Sequence, residues 1–202
     1  MNLKVKMITL LMIVIISNLA SHATAQPYPN SGDQVVCQYS NQPYGVEWNE
    51  TSTYEWSIIP VTGGNGTITT GVTPNLITVY WESIGTCNLQ LIETNEAGCS
   101  VTVTITITIN LTPVPVITGA DIVCSGDTEA YEVVLNSGNI YEWTVSGGTI
   151  ESGQGSNQVT ITWTGPTPGI LTVTETAGTC SAETSKTVEI NPLPATLTIF
   201  HN

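Results

Sequence analysis

Apolar and polar residues alternate with a period of two along most of this chain. In residues 101–109 β-branched apolar residues alternate with threonine, and residues 159–163 show a similar alternation. Tyr131, Val133 and Leu135 alternate with polar or smaller residues. Successive side chains of a strand point to opposite faces, so this period predicts strands that bury one face. Segments rich in Gly, Asn, Ser and Pro, such as 136–139 and 152–155, predict the turns between them. The pattern predicts an all-β, antiparallel sandwich architecture.

The strand pattern occurs twice. Cys37 aligns with Cys124 at an offset of 87 residues, which also places the Tyr-Glu-Trp of residues 54–56 on that of residues 141–143. The offset falls to 82 at the next shared tryptophan and to 81 at the next shared cysteine, as differences in loop length would produce. The repeat therefore predicts two tandem sandwiches.

Proline-rich segments close both repeats, at residues 111–115 and 191–194, and favour a stiff extended link. We therefore expect one sandwich over residues 26–112 and a second over 113–194. Residues 195–202 form a β-type tail similar to the start of the second repeat. The tail has three interpretations: a strand docked on the second sandwich, a strand added to the sheet edge of a partner, or a retention signal.

The first 25 residues have the features of an export signal. Lys4 and Lys6 precede an apolar run over residues 7–16, and Ala-Thr-Ala at residues 23–25 is a cleavage site, so the mature chain is predicted to begin at Gln26. The apolar run is shorter than the roughly 20 residues of a membrane span. No later stretch is long and apolar enough to cross a membrane, so we expect no membrane insertion after cleavage.

Removing the signal makes the charge strongly negative. All 16 acidic residues lie beyond residue 25, whereas only one of the three basic residues, Lys186, does, which gives a net charge of −15 for the mature chain. Nucleic acids and anionic membranes bind clustered Lys or Arg, so neither is an expected partner.

The residue types needed for most catalysis are scarce. His201, beside the C-terminus, is the single histidine after the signal, so a nucleophile–histidine pair or a zinc site is not expected. The Gly-rich segments have no Lys or Arg for phosphate, and no Asp-rich calcium loop is present. A carboxylate pair acting on a glycoside is the remaining enzymatic alternative. We predict a non-enzyme without a cofactor or metal.

Five cysteines in an exported chain predict disulfide bonds. The repeat predicts the pairs Cys37–Cys99 and Cys124–Cys180, each within one sandwich. Cys87 is left over, and the second repeat has no cysteine at its equivalent. It is interpreted as a buried free thiol, a bond to another chain, or the true partner of Cys37.

Four tryptophans occupy equivalent positions in the two repeats and are predicted core residues: Trp56 with Trp143, and Trp81 with Trp163. We expect the first pair to pack against the predicted disulfides, as in immunoglobulin-type sandwiches.

Trp48 differs from the other tryptophans because its counterpart is Leu135. With Tyr39 and Tyr44 it predicts either an aromatic sugar-binding platform or one more core position.

The second repeat carries a further set of short motifs, which are Ile-Val-Cys-Ser-Gly at 122–126, Tyr131, residues 141–150, Gly-Gln-Gly at 153–155, Trp163, and Thr-Glu-Thr at 174–176 before Cys180. With these residues it resembles the PKD-like modules of large bacterial surface proteins, including gliding-motility adhesins and other type IX secretion cargo. The first repeat is divergent: it lacks the Gly-Gln-Gly turn and adds Cys87. The resemblance implies immunoglobulin-like sandwiches, an extracellular location, and a role in adhesion or as a spacer without catalytic residues.

Two functional hypotheses follow. The first is a secreted or cell-surface module that acts in adhesion, surface assembly or as a structural spacer, with a protein or glycan partner and with self-assembly through the tail as an option. The alternative is a carbohydrate-binding accessory protein that uses Trp48 and its neighbouring tyrosines.

Overall fold

The computed structural model describes residues 32–165 and 167–195. The predicted export signal, the mature start at Gln26 and tail residues 196–202 lie outside the described residues. All regular structure within the described ranges is β-strand, which confirms the all-β prediction.

Seven strands form the first sandwich: β1 (Gln34–Cys37), β2 (Asn41–Gly45), β3 (Thr53–Pro60), β4 (Asn65–Thr70), β5 (Leu76–Ser83), β6 (Gly85–Thr94) and β7 (Ser100–Asn110). One sheet has four strands in the order β1-β7-β6-β3, and the other has three in the order β2-β5-β4.

The second sandwich repeats this plan with β8 (Ile122–Cys124), β9 (Thr128–Glu132), β10 (Ile140–Ser146), β11 (Gly148–Ser152), β12 (Gln158–Trp163), β13 (Gly169–Ala177) and β14 (Cys180–Asn191). Its sheets are β10-β13-β14-β8 and β11-β12-β9. Neighbouring strands are antiparallel except at two matched places, where the short first strand of each sandwich runs parallel to the last: β1 with β7, and β8 with β14. The chain thus forms two β-sandwiches with an immunoglobulin-like arrangement of strands, as predicted.

Each sandwich has its own apolar core between its sheets. Trp81, Val79 and Ile107 are fully buried in the first, as are Trp163 and Trp143 in the second. Burying one large apolar side chain stabilises a fold by roughly 1.5–3 kcal/mol. The alternating residues of the sequence supply these cores, since buried positions alternate with exposed or half-buried ones along β5 and β12.

A tryptophan and a tyrosine meet edge to face at the same place in both cores. The ring centroids are 6.1 Å apart for Tyr44 and Trp81, and 5.8 Å apart for Tyr131 and Trp163. In the second sandwich the Trp163 indole also donates a hydrogen bond to the Tyr131 hydroxyl at 3.0 Å. In the first sandwich Tyr44 Oη and Trp81 Nε1 are buried without a partner among the described atoms.

The predicted pair Cys37–Cys99 is wrong. Cys37 ends β1 and lies opposite Asn110, the last residue of β7, whereas Cys99 directly precedes the first residue of that strand. A strand advances about 3.3 Å per residue, so the two cysteines lie roughly 35 Å apart, and a disulfide needs Cα atoms within about 7 Å.

The predicted pair Cys124–Cys180 is wrong for the same reason. Cys124 lies opposite Asn191 at the end of β14, and Cys180 begins that strand. The structure instead joins Cys37 to Cys180, with Cα atoms 5.5 Å apart and a sequence separation of 143. This disulfide links the two sandwiches to each other, while Cys87, Cys99 and Cys124 are free thiols.

Because neither sandwich contains an internal disulfide, the expected packing of Trp56 and Trp143 on such a bond is also wrong. Trp143 is buried, and its indole donates to the carbonyl of Ser156 at 2.8 Å. Trp56 is half-buried against its core and donates to the carbonyl of Pro74 at 3.0 Å. Each indole therefore ties a strand of one sheet to the loop before a strand of the other.

Candidate functional site

On the first sandwich an exposed tryptophan ring stacks on a half-buried tyrosine ring. The rings of Trp48 and Tyr54 are 5.7 Å apart at an interplanar angle of 24°, and Trp48 is 46% exposed. The loop that carries Trp48 is fixed to Tyr54, whose hydroxyl accepts from the Asn49 backbone N–H at 2.8 Å and donates to the Glu47 carbonyl at 3.3 Å. The pair is thus positioned before any ligand arrives.

The second sandwich builds the same loop without the aromatic ring. There the Tyr141 hydroxyl accepts from the Asn136 N–H at 2.8 Å and donates to the Val134 carbonyl at 3.3 Å. Leu135 occupies the position of Trp48 and is exposed. The indole of Trp48 is therefore an addition to a shared scaffold, and it does not serve the core.

The structure does not assemble the three-residue platform expected from the sequence. Tyr44 is 6% exposed and belongs to the core, because it lies on the inward face of β2 against Trp81, so its predicted ligand contact is wrong. Tyr39 is exposed, but it precedes β2 whereas Trp48 follows that strand, so the two lie at opposite ends of it. Tyr54, which the sequence analysis placed only in a repeat motif, is the ring that accompanies Trp48.

Tyr39 takes part in a sharp turn. It is the one non-glycine residue with a positive φ, 65°, in the described ranges. Its backbone N–H donates to the Trp81 carbonyl at 2.7 Å. This turn fixes the end of β1 and with it the position of Cys37.

A buried carboxylate was not anticipated from the sequence. Glu175 on β13 is 1% exposed, and its Oε1 accepts from Asn136 Nδ2 at 2.8 Å and from Asn139 Nδ2 at 2.6 Å, and lies 3.4 Å from the Tyr141 hydroxyl oxygen. Buried polar groups with several donors are characteristic of structural networks. We assign this group to holding the 136–139 turn against the sheet.

The free thiols occupy two different environments. Cys87 is fully buried beside Tyr44, and burial raises the pKa of its thiol. Cys99 and Cys124 are exposed. Cys99 and Cys124 can therefore form a disulfide bond with a partner, whereas Cys87 cannot while the sandwich is folded.

Within the described residues, no cluster of three or more His, Cys, Asp or Glu side chains is arranged to hold a metal ion. None of these residues belongs to a helix that is long and apolar enough to cross a membrane. Lys186 forms an ion pair with Asp121.

Residues 110–190 match the family model of the PKD-like domain. This match covers the second sandwich. A comparison with curated proteins found no match.

Several solved structures are similar to the chain. A chimeric titin Z1Z2-Z1Z2 tandem is 14% identical with a TM-score of 0.32, over 79% of this chain and 95% of that one. A SusE-like surface-located polysaccharide-binding protein from Bacteroides thetaiotaomicron is 18% identical with a TM-score of 0.36, over 80% of this chain and 33% of that one. The amphioxus IgVJ-C2 molecule is 14% identical with a TM-score of 0.34, over 77% of this chain and 99% of that one. Similarities at this level carry no conclusion about function.

Proposed function

We propose that this chain is a non-catalytic module of the extracellular surface that acts as a spacer in adhesion or surface assembly. The observation that carries the proposal is the Cys37–Cys180 disulfide between the two sandwiches. Disulfides form and persist in oxidising compartments, which supports an extracellular location. Residues 1–25 would then direct export, and residues 26–112 and 113–194 would be the two domains of the mature chain.

The disulfide suits a spacer because it adds a second covalent connection to the junction. The 111–115 segment already joins the sandwiches through two prolines, which restrict the backbone. Two connections restrict bending and rotation more than one. The mature net charge of −15 also favours an extended, soluble array over collapse onto other anionic surfaces.

The location can be tested on intact cells of the producing organism with an antibody against the purified chain. We expect labelling before lysis and a loss of adhesion when the gene is deleted, both restored by the wild-type chain. A second complementation would replace the chain with an unrelated two-sandwich tandem of similar length. A spacer is replaceable in this way, whereas a specific adhesive surface is not. Labelling that appears only after lysis would overturn the proposal.

The stacked Trp48–Tyr54 pair favours carbohydrate binding as a second candidate function. An exposed indole offers an apolar face to the C–H face of a sugar ring, and its N–H remains free for a hydroxyl. The ring is held in place by the loop hydrogen bonds to Tyr54, so little conformational freedom is lost on binding.

Trp48→Leu tests this candidate cleanly because the second sandwich carries leucine on the same loop. We expect the wild-type chain to bind a glycan on an array, and Trp48→Leu to weaken that binding at least tenfold with an unchanged melting temperature. Leu135→Ala, on the matching loop of the second sandwich, is the control and should bind as the wild type does. Absence of any glycan binding by the wild type, or full binding by Trp48→Leu, would exclude this function.

A further inference from the structure

The four cysteines shared by the repeats lie at two kinds of place in a sandwich. Cys37 and Cys124 are each the last residue of the short first strand of their sandwich, and each lies opposite the last residue of the final strand. We call this end of a sandwich the exit end. Cys99 directly precedes the final strand of its sandwich, and Cys180 is the first residue of its own final strand. We call this end of a sandwich, where the last hairpin turns, the hairpin end. The observed disulfide joins the exit end of the first sandwich to the hairpin end of the second.

The turns that follow the two exit-end cysteines are equivalent in detail. Gln38 N–H donates to the Asn110 carbonyl at 2.8 Å, and Ser125 N–H donates to that of Asn191 at 2.8 Å. The next residue of each turn has positive φ and donates to a core tryptophan carbonyl, at 2.7 Å in the first sandwich and 2.6 Å in the second. Because the backbone repeats, Cys124 is held as Cys37 is held.

The hairpin-end cysteines correspond in the same way. Cys99 directly precedes Ser100, which pairs with Thr94 across the hairpin, and Cys180 directly precedes Ser181, which pairs with Thr176. A glycine with positive φ lies in each turn, at φ 81° in the first sandwich and 62° in the second. The first hairpin is one residue longer, and its cysteine is exposed.

The chain therefore has one occupied pair and one complementary unoccupied pair. Cys124, at the exit end of the second sandwich, is not bonded to a hairpin-end cysteine. Cys99, at the hairpin end of the first sandwich, is not bonded to an exit-end cysteine. We infer that Cys124 of one copy forms a disulfide with Cys99 of a second copy, repeating between chains the junction that Cys37 and Cys180 form within one. Because the bond joins two different surfaces of neighbouring copies, each copy can bind one neighbour through Cys124 and another through Cys99, so the copies form linear arrays.

The bond requires an oxidant. The two thiols lose two protons and two electrons as the sulfur–sulfur bond forms, and a disulfide compound accepts them and leaves as two thiols. A low-molecular-weight disulfide or the disulfide of a thiol–disulfide oxidoreductase supplies this chemistry in an oxidising compartment. The high negative charge of the chain opposes the encounter at low ionic strength, so salt should speed the assembly.

The test uses two single variants of the full mature chain, Cys99→Ser and Cys124→Ser, in a buffer of oxidised and reduced glutathione with 0.15 M or more salt. Both residues are exposed, so neither change disturbs a core. The wild type should give a ladder of species on a non-reducing gel. Each variant alone should remain monomeric, and an equal mixture should form dimers at a yield at least tenfold above either variant alone.

Peptide mapping of the dimer should find Cys124 bonded to Cys99, with Cys37–Cys180 intact in both copies. Cys87→Ala is the control and should leave the ladder unchanged. Dimers formed equally well by one variant alone, a mixture that stays monomeric, or a wild-type monomer closed by its own Cys99–Cys124 bond would each overturn the inference. The result is independent of the spacer proposal, since it uses the purified chain and no adhesion readout.

Discussion

Cys87 and Gly169 occupy the same position in the two cores and explain why these cores differ. Cys87 pairs with Ile107, and Gly169 pairs with the equivalent Val188. A Cβ atom at Gly169 would lie 2.3 Å from Cζ3 of Trp163, so this indole occupies space that only glycine leaves open. In the first sandwich the equivalent residue is a buried cysteine, and Tyr44 Oη and Trp81 Nε1 have no hydrogen-bond partner among the described atoms.

We predict that Gly169→Ala destabilises the second sandwich by about 1–3 kcal/mol, because the added methyl group forces the buried indole to move. Urea unfolding, with the transition of the second sandwich assigned by hydrogen exchange, measures the change. Gly32→Ala is the matched control, since a Cβ there meets no atom within 4 Å. An unchanged transition in Gly169→Ala would contradict the packing described for Trp163.

A second prediction at the residue scale concerns alkaline pH. Burial raises the pKa of Tyr44 to about 12 from an ordinary value of 10.0. Between these values the unfolded chain loses the phenol proton while the folded chain keeps it, so the stability of the first sandwich falls as the pH rises. The loss should be on the order of 2 kcal/mol by pH 12.

Tyr44→Phe separates this effect from other alkaline titrations, because it removes the buried hydroxyl and keeps the ring that packs against Trp81. The variant should be about as stable as the wild type at pH 8 and lose less stability by pH 11.5. Both proteins should also carry Cys87→Ala, because the charge of the neighbouring thiolate contributes to the raised pKa of Tyr44. Equal pH slopes for the two proteins would refute the prediction.

At the scale of elements, a side chain from the turn between β11 and β12 forms hydrogen bonds with the open backbone of an edge strand. β10 lies at the edge of its sheet, so part of its backbone has no neighbouring strand. The Gln154 side chain supplies the missing partners, since its Oε1 accepts from the Trp143 N–H at 3.1 Å and its Nε2 donates to the Trp143 carbonyl at 3.0 Å. This explains the glutamine in the Gly-Gln-Gly motif of the second repeat.

Gln154→Ala should destabilise the second sandwich by about 1–3 kcal/mol, because both hydrogen bonds are lost from a strand over the core. Gln154→Glu should not rescue it, since a carboxylate cannot donate to the carbonyl. Gln158→Ala, at an exposed position of β12, is the control. Thermal unfolding by circular dichroism measures all three, and equal stability of Gln154→Ala and the control would remove this role.

The strands were predictable from sequence, but the neighbours of each strand were not. Alternation gives the face that each residue occupies, and the repeat gives equivalent positions such as Trp81 and Trp163. Neither signal reports that β1 runs parallel to the far end of β7, and that single fact separates Cys37 from Cys99. The burial of Tyr44 and the exposure of Trp48 likewise depend on where β2 ends, which the local pattern does not determine.

At the scale of the whole molecule, the disulfide should restrict the junction and leave both sandwiches intact. In Cys37→Ser/Cys180→Ser we expect both sandwiches to fold, because each keeps its own core. The variant should be less stable by roughly 2–5 kcal/mol, because the bond no longer restricts the unfolded chain. Cleavage by proteases within residues 111–116 should become faster, and small-angle scattering should show a broader distribution of dimensions. Cys99→Ser is the control. Unchanged cleavage and scattering would mean that the linker alone fixes the junction.

The same disulfide also determines how the molecule would bear tension. When the described chain is pulled from both ends, force entering β1 reaches Cys37, crosses to Cys180 and leaves along β14. Most of both sandwiches then lies in a loop outside the load path. The loop spans 143 residues. While the bond is intact this loop cannot be extended, although its contour length is roughly 500 Å at about 3.5 Å per residue. When the sandwiches are unfolded by force, the fully stretched length with a reductant should exceed that without one by about that amount, because only reduction lets the loop extend.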